Sequence, residues 1–451
     1  MPLRVEHPSE LGYTSQMPDS IQKLRGDAVA AFEAAVSAVQ PTNLVPEALQ
    51  VDGERISIRG DELPQASGRR VVAAIGKAAP GLSEAWLAKL PAWAHEMIVI
   101  TPHGVPVPDR VAEAATVLRG AHPYPDNHGE AATRRLLSLA ADLGENDLLV
   151  VLLSGGGSAL MAAPEAGLSL EDVRATTQAL LEAGAPIEDV NTVRRQLLAA
   201  AGGGLARVAA PARVVTLVLS DVLGDPLPAI ASGPTVPSPT SAADASAVLD
   251  RHKILQRVPA AVVSFLSDLA GRSENHEWAE LSRIQILANN RTAVDAAAAE
   301  LATRGYRTEV FEDFLEGEAS ERGVEIADSA RRLAAAGPAG RVVGGETTVT
   351  VKGSGRGGRN HELALAAAIR LADAPPCVVL AAGTDGVDGM AEAAGAVVDP
   401  TTAARLRQAG IDPEPALADN DAGAALAAVG DVIVTGPTGT NVCDITIVLA
   451  P

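Results

Sequence analysis

Leu148-Leu149-Val150-Val151-Leu152-Leu153-Ser154-Gly155-Gly156-Gly157-Ser158-Ala159-Leu160 is the stretch that decides the fold class. From Asp147 to Leu153 it is apolar at strand length with no polar alternation, as expected of a strand buried on both faces of a helix-covered parallel sheet. A glycine-rich turn then leads into helical sequence, which is the strand-turn-helix grammar of a βαβ unit. Outward from it the same grammar repeats. Val71–Ile75, Glu96–Thr101 and Val214–Leu219 read as further strands, and Ser20–Val39, His128–Leu143, Leu170–Ala183 and Asp189–Arg207 as helices. The reading is α/β and doubly wound.

The second half of the 451-residue chain restarts the alternation, with strands expected at Ile284–Ala288, Arg307–Phe311, Thr347–Val351, Cys377–Ala381, Asp431–Val434 and Asp444–Leu449. This length exceeds one ordinary core, so two domains are expected. Ser232–Ala243 is too rich in proline for a helix or a central strand and reads as a loop, a candidate inter-domain segment, with a short helical pair after it. The polar stretch Gly271–Glu277 reads as a linker, which gives domains 1–275 and 276–451.

Composition excludes several classes. Hydrophobic residues at 47% and charged residues at 20% describe a packed globular protein. Aromatic residues at 2% and a net charge of −20 argue against nucleic acid as a partner. No apolar run approaches a membrane span, and the polar start MPLRVEHPSELGYTSQ lacks the apolar core of a secretory signal, so a soluble cytoplasmic protein is expected, free or as a homo-oligomer. Two cysteines, Cys377 and Cys443, suit a reducing compartment and exclude a cysteine-built metal site.

Five loops follow expected strands, where open parallel sheets bind ligands. Ile75-Gly76-Lys77-Ala78-Ala79-Pro80-Gly81 carries a cation in the turn without being a Walker A, and Lys77 reads either as a solvated lysine or as a site residue. In Ser154-Gly155-Gly156-Gly157-Ser158 three glycines let amides crowd an anion at a helix start, a phosphate cradle, with a merely tight turn as the bland reading. Asp221 and Asp225 follow the next strand; carboxylates there suit Mg²⁺ in phosphoryl transfer, Asp221 the more so, or cap a turn. Gly353, Gly355 and Gly358 have GxGxxG spacing, but no acid ends the next strand as a dinucleotide site requires, and Arg356 and Arg359 line the loop instead. Asp385 and Asp388 share a glycine-flanked turn, as base, metal ligand or structure. No GxSxG frame supports a hydrolase triad, and His122 in the proline-rich segment His122–His128 reads as structural.

Together these segments resemble the glycerate 2-kinases with a C-terminal MOFRL domain. The matching stretches are IGKAA at 75–79, GxHPxPD at 120–126, LLSGGGSAL at 152–160, NxVR at 191–194, SDVxGD at 220–225, SGPT at 232–235, GGETTV at 344–349, GRGGRN at 355–360, GTDGxDG at 383–389 and TGPTGTNV at 435–442. The resemblance implies a Rossmann-like N-terminal domain, a smaller α/β C-terminal domain and an active site in the cleft. It implies Lys77, Asp221 and Arg359 as catalytic residues, Ser154, Gly155, Gly156, Gly157 and Ser158 as the ATP-binding loop, Arg194, Glu346, Asn360 and Asp385 as substrate contacts, and Asp221 with Asp225 for Mg²⁺. The sequence departs from the pattern at Gln196 (usually His), Ala201 (Lys), Ser238 (Asp), His361 (Gln), Ala391 (Thr) and Cys443 (Asn). An ATP-dependent kinase for a small hydroxy acid, D-glycerate first, is therefore expected. The competing readings are an NAD(P)H-dependent hydroxypyruvate reductase, a kinase for another sugar acid, and a non-catalytic sugar-acid or nucleotide sensor.

Overall fold

A computed structural model describes residues 18–53, 55–271, 276–334 and 337–451. They form two compact units, one of Pro41–Leu287 and one that joins the chain up to Gln40 with Ala288–Pro451.

In the first unit Leu148–Leu153 is buried at every position. Across the sheet the order is Thr116–Gly120, Glu96–Pro102, Arg70–Ile75, Leu148–Leu153, Arg213–Leu219 and Ser282–Ala288. The first five are parallel. The chain runs outward from Arg70–Ile75 on one side and from Leu148–Leu153 on the other, so the strand order reverses between these two. Such a switch point is where doubly wound sheets hold ligands. Ile75 and Leu153 are paired in register, which brings the two following loops out side by side. The strand Thr116–Gly120 was not expected; it is half-exposed at the sheet edge and lacks the apolar run of a central strand. A small antiparallel sheet, Leu49–Asp52, Arg55–Ile58 and Asp61–Glu62, was also not foreseen.

Helix Leu170–Glu182 starts on a capping box between Ser169 and Asp172, as its sequence suggests. The helix expected over Asp189–Arg207 is two, Ile187–Leu197 and Gly204–Ala209. Gly202 and Gly203 break it at φ +54° and +87°, and a Cβ on Gly203 would lie 2.1 Å from the Trp278 ring. The helices Ala242–Arg251 and Ala260–Ala270 are the expected pair and pack with Leu170–Glu182 and Ile187–Leu197 into a separate apolar cluster.

The contiguous division at 275/276 is corrected by these contacts. Ser232–Ala243 lies inside the first unit, and Ser282–Ala288 completes its sheet. The linker expected at Gly271–Glu277 lies largely outside the described residues. At the other end the helix Asp19–Ala38 joins the second unit. Its Ile21, Leu24, Ala28, Phe32 and Ala35 recur at helical spacing and are buried. Arg25, 5% exposed, donates to Asp399 at 2.5 Å and to Asp431 at 2.6 Å. Tyr306 Oη and Arg304 donate to Asp27 of the same helix. No local pattern announces that partner, because its residues lie more than 270 positions away.

The second unit has helices on a mixed sheet ordered Arg307–Val310, Ala339–Thr348, Asp444–Ala450, Val378–Gly383, Gly395–Val398 and Val432–Ile433, with Leu315–Glu318 also paired to Ala339–Thr348. Asp444–Ala450 is antiparallel to both neighbours, so this sheet is not the parallel one expected from the alternation, which carries no information on strand direction. The strand expected at Thr347–Val351 is Ala339–Thr348. Two glycines hid it: a Cβ would lie 1.5 Å from Asn290 Oδ1 at Gly344 and 2.2 Å from the Leu315 carbonyl at Gly345. Close packing excludes side chains there.

Candidate active site

At the switch point Lys77 donates its amide to the Gly155 carbonyl at 2.9 Å, and the Ser154 hydroxyl accepts from the Ala78 amide at 3.1 Å while donating to the Ile75 carbonyl at 3.2 Å. The Ser154 amide also donates to Ile75. Ser154 is thus spent on fastening the two loops together, and its side chain is buried under the cradle rather than offered to a ligand. Gly76 at φ +120° permits this contact, since a Cβ would lie 2.3 Å from Ser154 Oγ. The amides of Gly156, Gly157 and Ser158 open the short helix Gly157–Leu160, and opening amides have no partner within their helix. They remain as the donors this loop has to offer.

Charged groups gather round this loop. The Asp221 carboxylate presses on Gly155, where a Cβ would lie 1.8 Å from its Oδ2. Gly155→Ala is therefore expected to displace Asp221 and to lower turnover by about 10²-fold, the cost of misplacing a reacting group by about an ångström; steady-state kinetics beside a thermal melt checks it. Lys77 Cγ and His122 Cδ2 both lie within 3.4 Å of where a Gly156 Cβ would stand. Arg194 donates to the Ser158 carbonyl at 3.2 Å, and burial pushes its pKa down. Lys77 and Arg194 are both half-buried, which fits a solvated surface group poorly. Asp225 sits in the turn four residues past Asp221 at φ +53°, its amide on the Val222 carbonyl.

His122 and Ser232 belong to the site although neither was read as functional. Burial, with Lys77 adding to it, holds the His122 imidazole below its ordinary pKa. A histidine kept neutral in the native state adds stability above the unfolded value, about 6.5, that is lost as pH falls through the folded value. As pH falls below about 6.5 the thermal midpoint of His122→Asn should fall less steeply than that of the wild type. Ser232 bonds Ser158 at 2.8 Å from a strained turn in which Ala231, Ser232 and Gly233 all have positive φ. Ala231 closes on Gly157, whose added Cβ would lie 2.5 Å from it. SGPT at 232–235 was read as a loop and as one of the stretches of the resemblance, with no role assigned to Ser232.

A second cluster forms on the other unit at the start of helix Arg359–Leu371. Arg359 donates to Asp444 through Nε at 2.5 Å and Nη2 at 3.0 Å, and its Nη1 lies 2.7 Å from Glu346 Oε1. Burial opposes the guanidinium charge, but Asp444 and Glu346 outweigh it, so Arg359 stays protonated. Asp388 accepts from the amides of Asn360 at 3.2 Å and His361 at 2.9 Å and so caps the helix that carries Arg359. Asp385 and Asp444 both approach Gly383, at 3.2 and 3.3 Å from its Cβ position. Arg359, Glu346, Asn360 and Asp385 are thus brought together; of the two acids that hold them, Asp444 was not among the expected site residues, and Asp388, read as base, metal ligand or structure, is engaged by the helix it caps.

The GxGxxG spacing has a different use. A Cβ would meet Asp419 at 2.2 Å on Gly353, Asp421 at 2.4 Å on Gly355 and Asp388 at 2.4 Å on Gly358. The amides of Gly353, Ser354, Gly355 and Arg356 already donate to Asn420, Asp419 and Asp421. The loop is packed by its own chain and offers no pyrophosphate cradle.

Residues 27–267 match the family model described as a domain of unknown function, DUF4147, and residues 340–444 match the MOFRL family. The chain belongs to the glycerate 2-kinase family with a C-terminal MOFRL domain. Among its relatives, a D-glycerate 2-kinase from Thermotoga maritima is 38% identical over 95% of this chain and 98% of its own. A putative hydroxypyruvate reductase from Agrobacterium vitis is 40% identical over 93% of this chain and 92% of its own. The crystal structure of a glycerate kinase from Thermotoga maritima superposes with a TM-score of 0.84 at 37% identity, over 95% of this chain and all of that one.

Several departures from the glycerate 2-kinase pattern fall at defined places. Gln196, Ala201 and Ser238 line one cavity of about 730 Å³ together with Arg195, Phe265 and Trp278. Gln196 donates to the Thr240 carbonyl at 2.7 Å. His361 is fully buried against Asp388, away from solvent. Cys443 holds φ +69°, a conformation that asparagine accepts more readily than cysteine. Cys443→Asn is therefore expected to raise stability by about 1 kcal/mol, read by urea unfolding.

Proposed function

We propose that this chain transfers the γ-phosphoryl group of ATP to the 2-hydroxyl of D-glycerate, giving 2-phosphoglycerate and ADP. The observation that carries this is the switch-point loop, where two cations and one carboxylate surround a triple-glycine turn. Phosphoryl transfer is catalysed chiefly by positioning and charge neutralisation, which is what such a constellation supplies. In this reading the amides of Gly156–Ser158 and the cations Lys77 and Arg194 hold the nucleotide phosphates and the glycerate carboxylate. Asp221, at the edge of the cradle, fits the one- or two-carboxylate habit of Mg²⁺ in kinases, with Asp225 the next acid along; Mg²⁺ there would neutralise phosphate oxygens. Asp221 is also placed to take the proton of the attacking hydroxyl.

The glycerate 2-kinase resemblance also assigns Arg359 to catalysis, and within its own unit this residue is held as an oriented charge. Asp444 holds the guanidinium in two contacts, and the Glu346 contact, with its carboxylate side chain 44% exposed, is the one an incoming anion displaces. Asn360 and Asp385 supply polar contacts to the acceptor.

Reduction of hydroxypyruvate is disfavoured by the filled glycine loop at 353–358. The test is one protein preparation assayed two ways. ADP release with D-glycerate and ATP, and no NAD(P)H oxidation with hydroxypyruvate, is the expected outcome; the opposite pair of results would overturn the proposal.

A further inference from the structure

We propose that His103, Asp126 and His128 form a binding site for a borderline divalent transition-metal ion, Zn²⁺ or one of its neighbours, separate from the phosphoryl-transfer machinery. The three residues come from two segments. His103 directly follows the strand Glu96–Pro102, with its amide fixed on the Gly120 carbonyl at 2.9 Å. Asp126 is the N-cap of helix Asn127–Ala141, and His128 is the second residue of that helix. One ligand atom from each lies within 4.8 Å of the others.

The carboxylate is pre-oriented. Asp126 Oδ1 accepts from the amides of Ala121 at 3.1 Å and Gly129 at 2.8 Å, so the backbone sets its plane independently of either histidine. That leaves Oδ2 between two imidazoles, 2.8 Å from His103 Nε2 and 3.2 Å from His128 Nδ1. Ligand atoms on a tetrahedral ion with bonds of about 2.0–2.2 Å stand at comparable spacings, and amides behind a liganding carboxylate are the outer-shell support such sites need. The rings are nearly perpendicular at 89°, with centroids 5.4 Å apart, and do not obstruct each other's nitrogens.

Two nitrogens and one oxygen suit Zn²⁺, Co²⁺ or Ni²⁺, whereas Mg²⁺ prefers oxygen ligands and keeps its waters. The side chains of His103 and His128 are 46% and 77% exposed, so an ion can enter and a water can complete its shell. Once bound, the ion staples the end of strand Glu96–Pro102 to the segment 121–128. That segment carries His122 against Gly156 and Lys77, so the site sits beside the cradle without contributing to it.

The experiment uses full-length, untagged protein stripped with a chelator and held in excess Mg²⁺. Zn²⁺ is titrated by calorimetry, and Co²⁺ by its visible d–d absorption. One equivalent of Zn²⁺ per chain is expected in the presence of Mg²⁺, with affinity weakened by about tenfold or more in His128→Ala. Because Asp126 also caps a helix, the decisive variant is His103→Ala combined with His128→Ala, which leaves the cap intact and should abolish the Co²⁺ spectrum with an unchanged melt. Equal Zn²⁺ affinity in the double variant, or no binding by the wild type, would overturn the site.

Discussion

Lys77→Ala is expected to lower kcat for glycerate phosphorylation by about 10²–10³-fold, the usual cost of removing one preorganised donor from a site of developing charge. The backbone contact that shapes the cradle, Lys77 amide to Gly155 carbonyl, does not involve the side chain, so the fold should survive the truncation. A thermal midpoint near that of the wild type alongside the kinetic loss would separate chemistry from folding. The same assay on Asp221→Asn resolves its two roles: partial rescue by raised Mg²⁺ identifies a metal ligand, and a loss that Mg²⁺ does not touch identifies the proton acceptor. Near-wild-type turnover in Lys77→Ala would remove the switch-point cradle from the reaction.

The largest loss of stability is expected far from that site, in Arg25→Ala. Arg25 answers two buried acids at once, Asp399 and Asp431, neither with solvent to fall back on. Burial opposes its charge, but the two carboxylates outweigh burial and raise its pKa; in turn Arg25 and Arg405 outweigh the burial of Asp399 and lower that of the acid. Removing one partner of a buried ion pair costs about 3–5 kcal/mol, because the remaining charge stays uncompensated. Urea unfolding should show this loss, and Arg25→Met combined with Asp399→Asn, which leaves Asp431 paired with Arg405 at 2.6 Å, should recover part of it. The sign with pH follows. A depressed carboxyl contributes stability that is present above its unfolded value, about 3.9, and is lost as pH falls through its folded value. Acid unfolding of the wild type should therefore be steeper than that of Arg25→Met with Asp399→Asn.

Reading outward from Leu148–Leu160 recovered the central strands of the first sheet because their burial on both faces leaves an apolar run. The edge strand Thr116–Gly120, half-exposed, left none. Glycines misled in both directions. At 155–157 they shape the turn at the strand switch, with Asp221 and Ala231 pressed on Gly155 and Gly157; at 344–345 and at 353–358 they are there because neighbouring backbone and acids occupy the space a Cβ would need. Lys77, Asp221 and the Gly156–Ser158 turn could be located from strand ends alone, whereas Arg194, inside helix Ile187–Leu197, entered only through the NxVR resemblance. Asp444 could not be so located, since it opens a strand and acts through Arg359, 85 positions away; Asp388 was located by its turn, but its partners at the start of helix Arg359–Leu371 were not. The division of the chain was obscured for the same reason: Arg25 and Asp27 look like ordinary helix-surface charges until Asp399, Asp431 and Tyr306 are folded against them.

The central claim is that the chain phosphorylates glycerate at its secondary hydroxyl, and phosphorus NMR of the product formed from D-glycerate and ATP tests it most directly. The account predicts a 2-phosphoglycerate resonance that grows in step with ADP and is absent with Lys77→Ala. A product phosphorylated at the 3-hydroxyl, or ADP release with no phosphoglycerate, would contradict it.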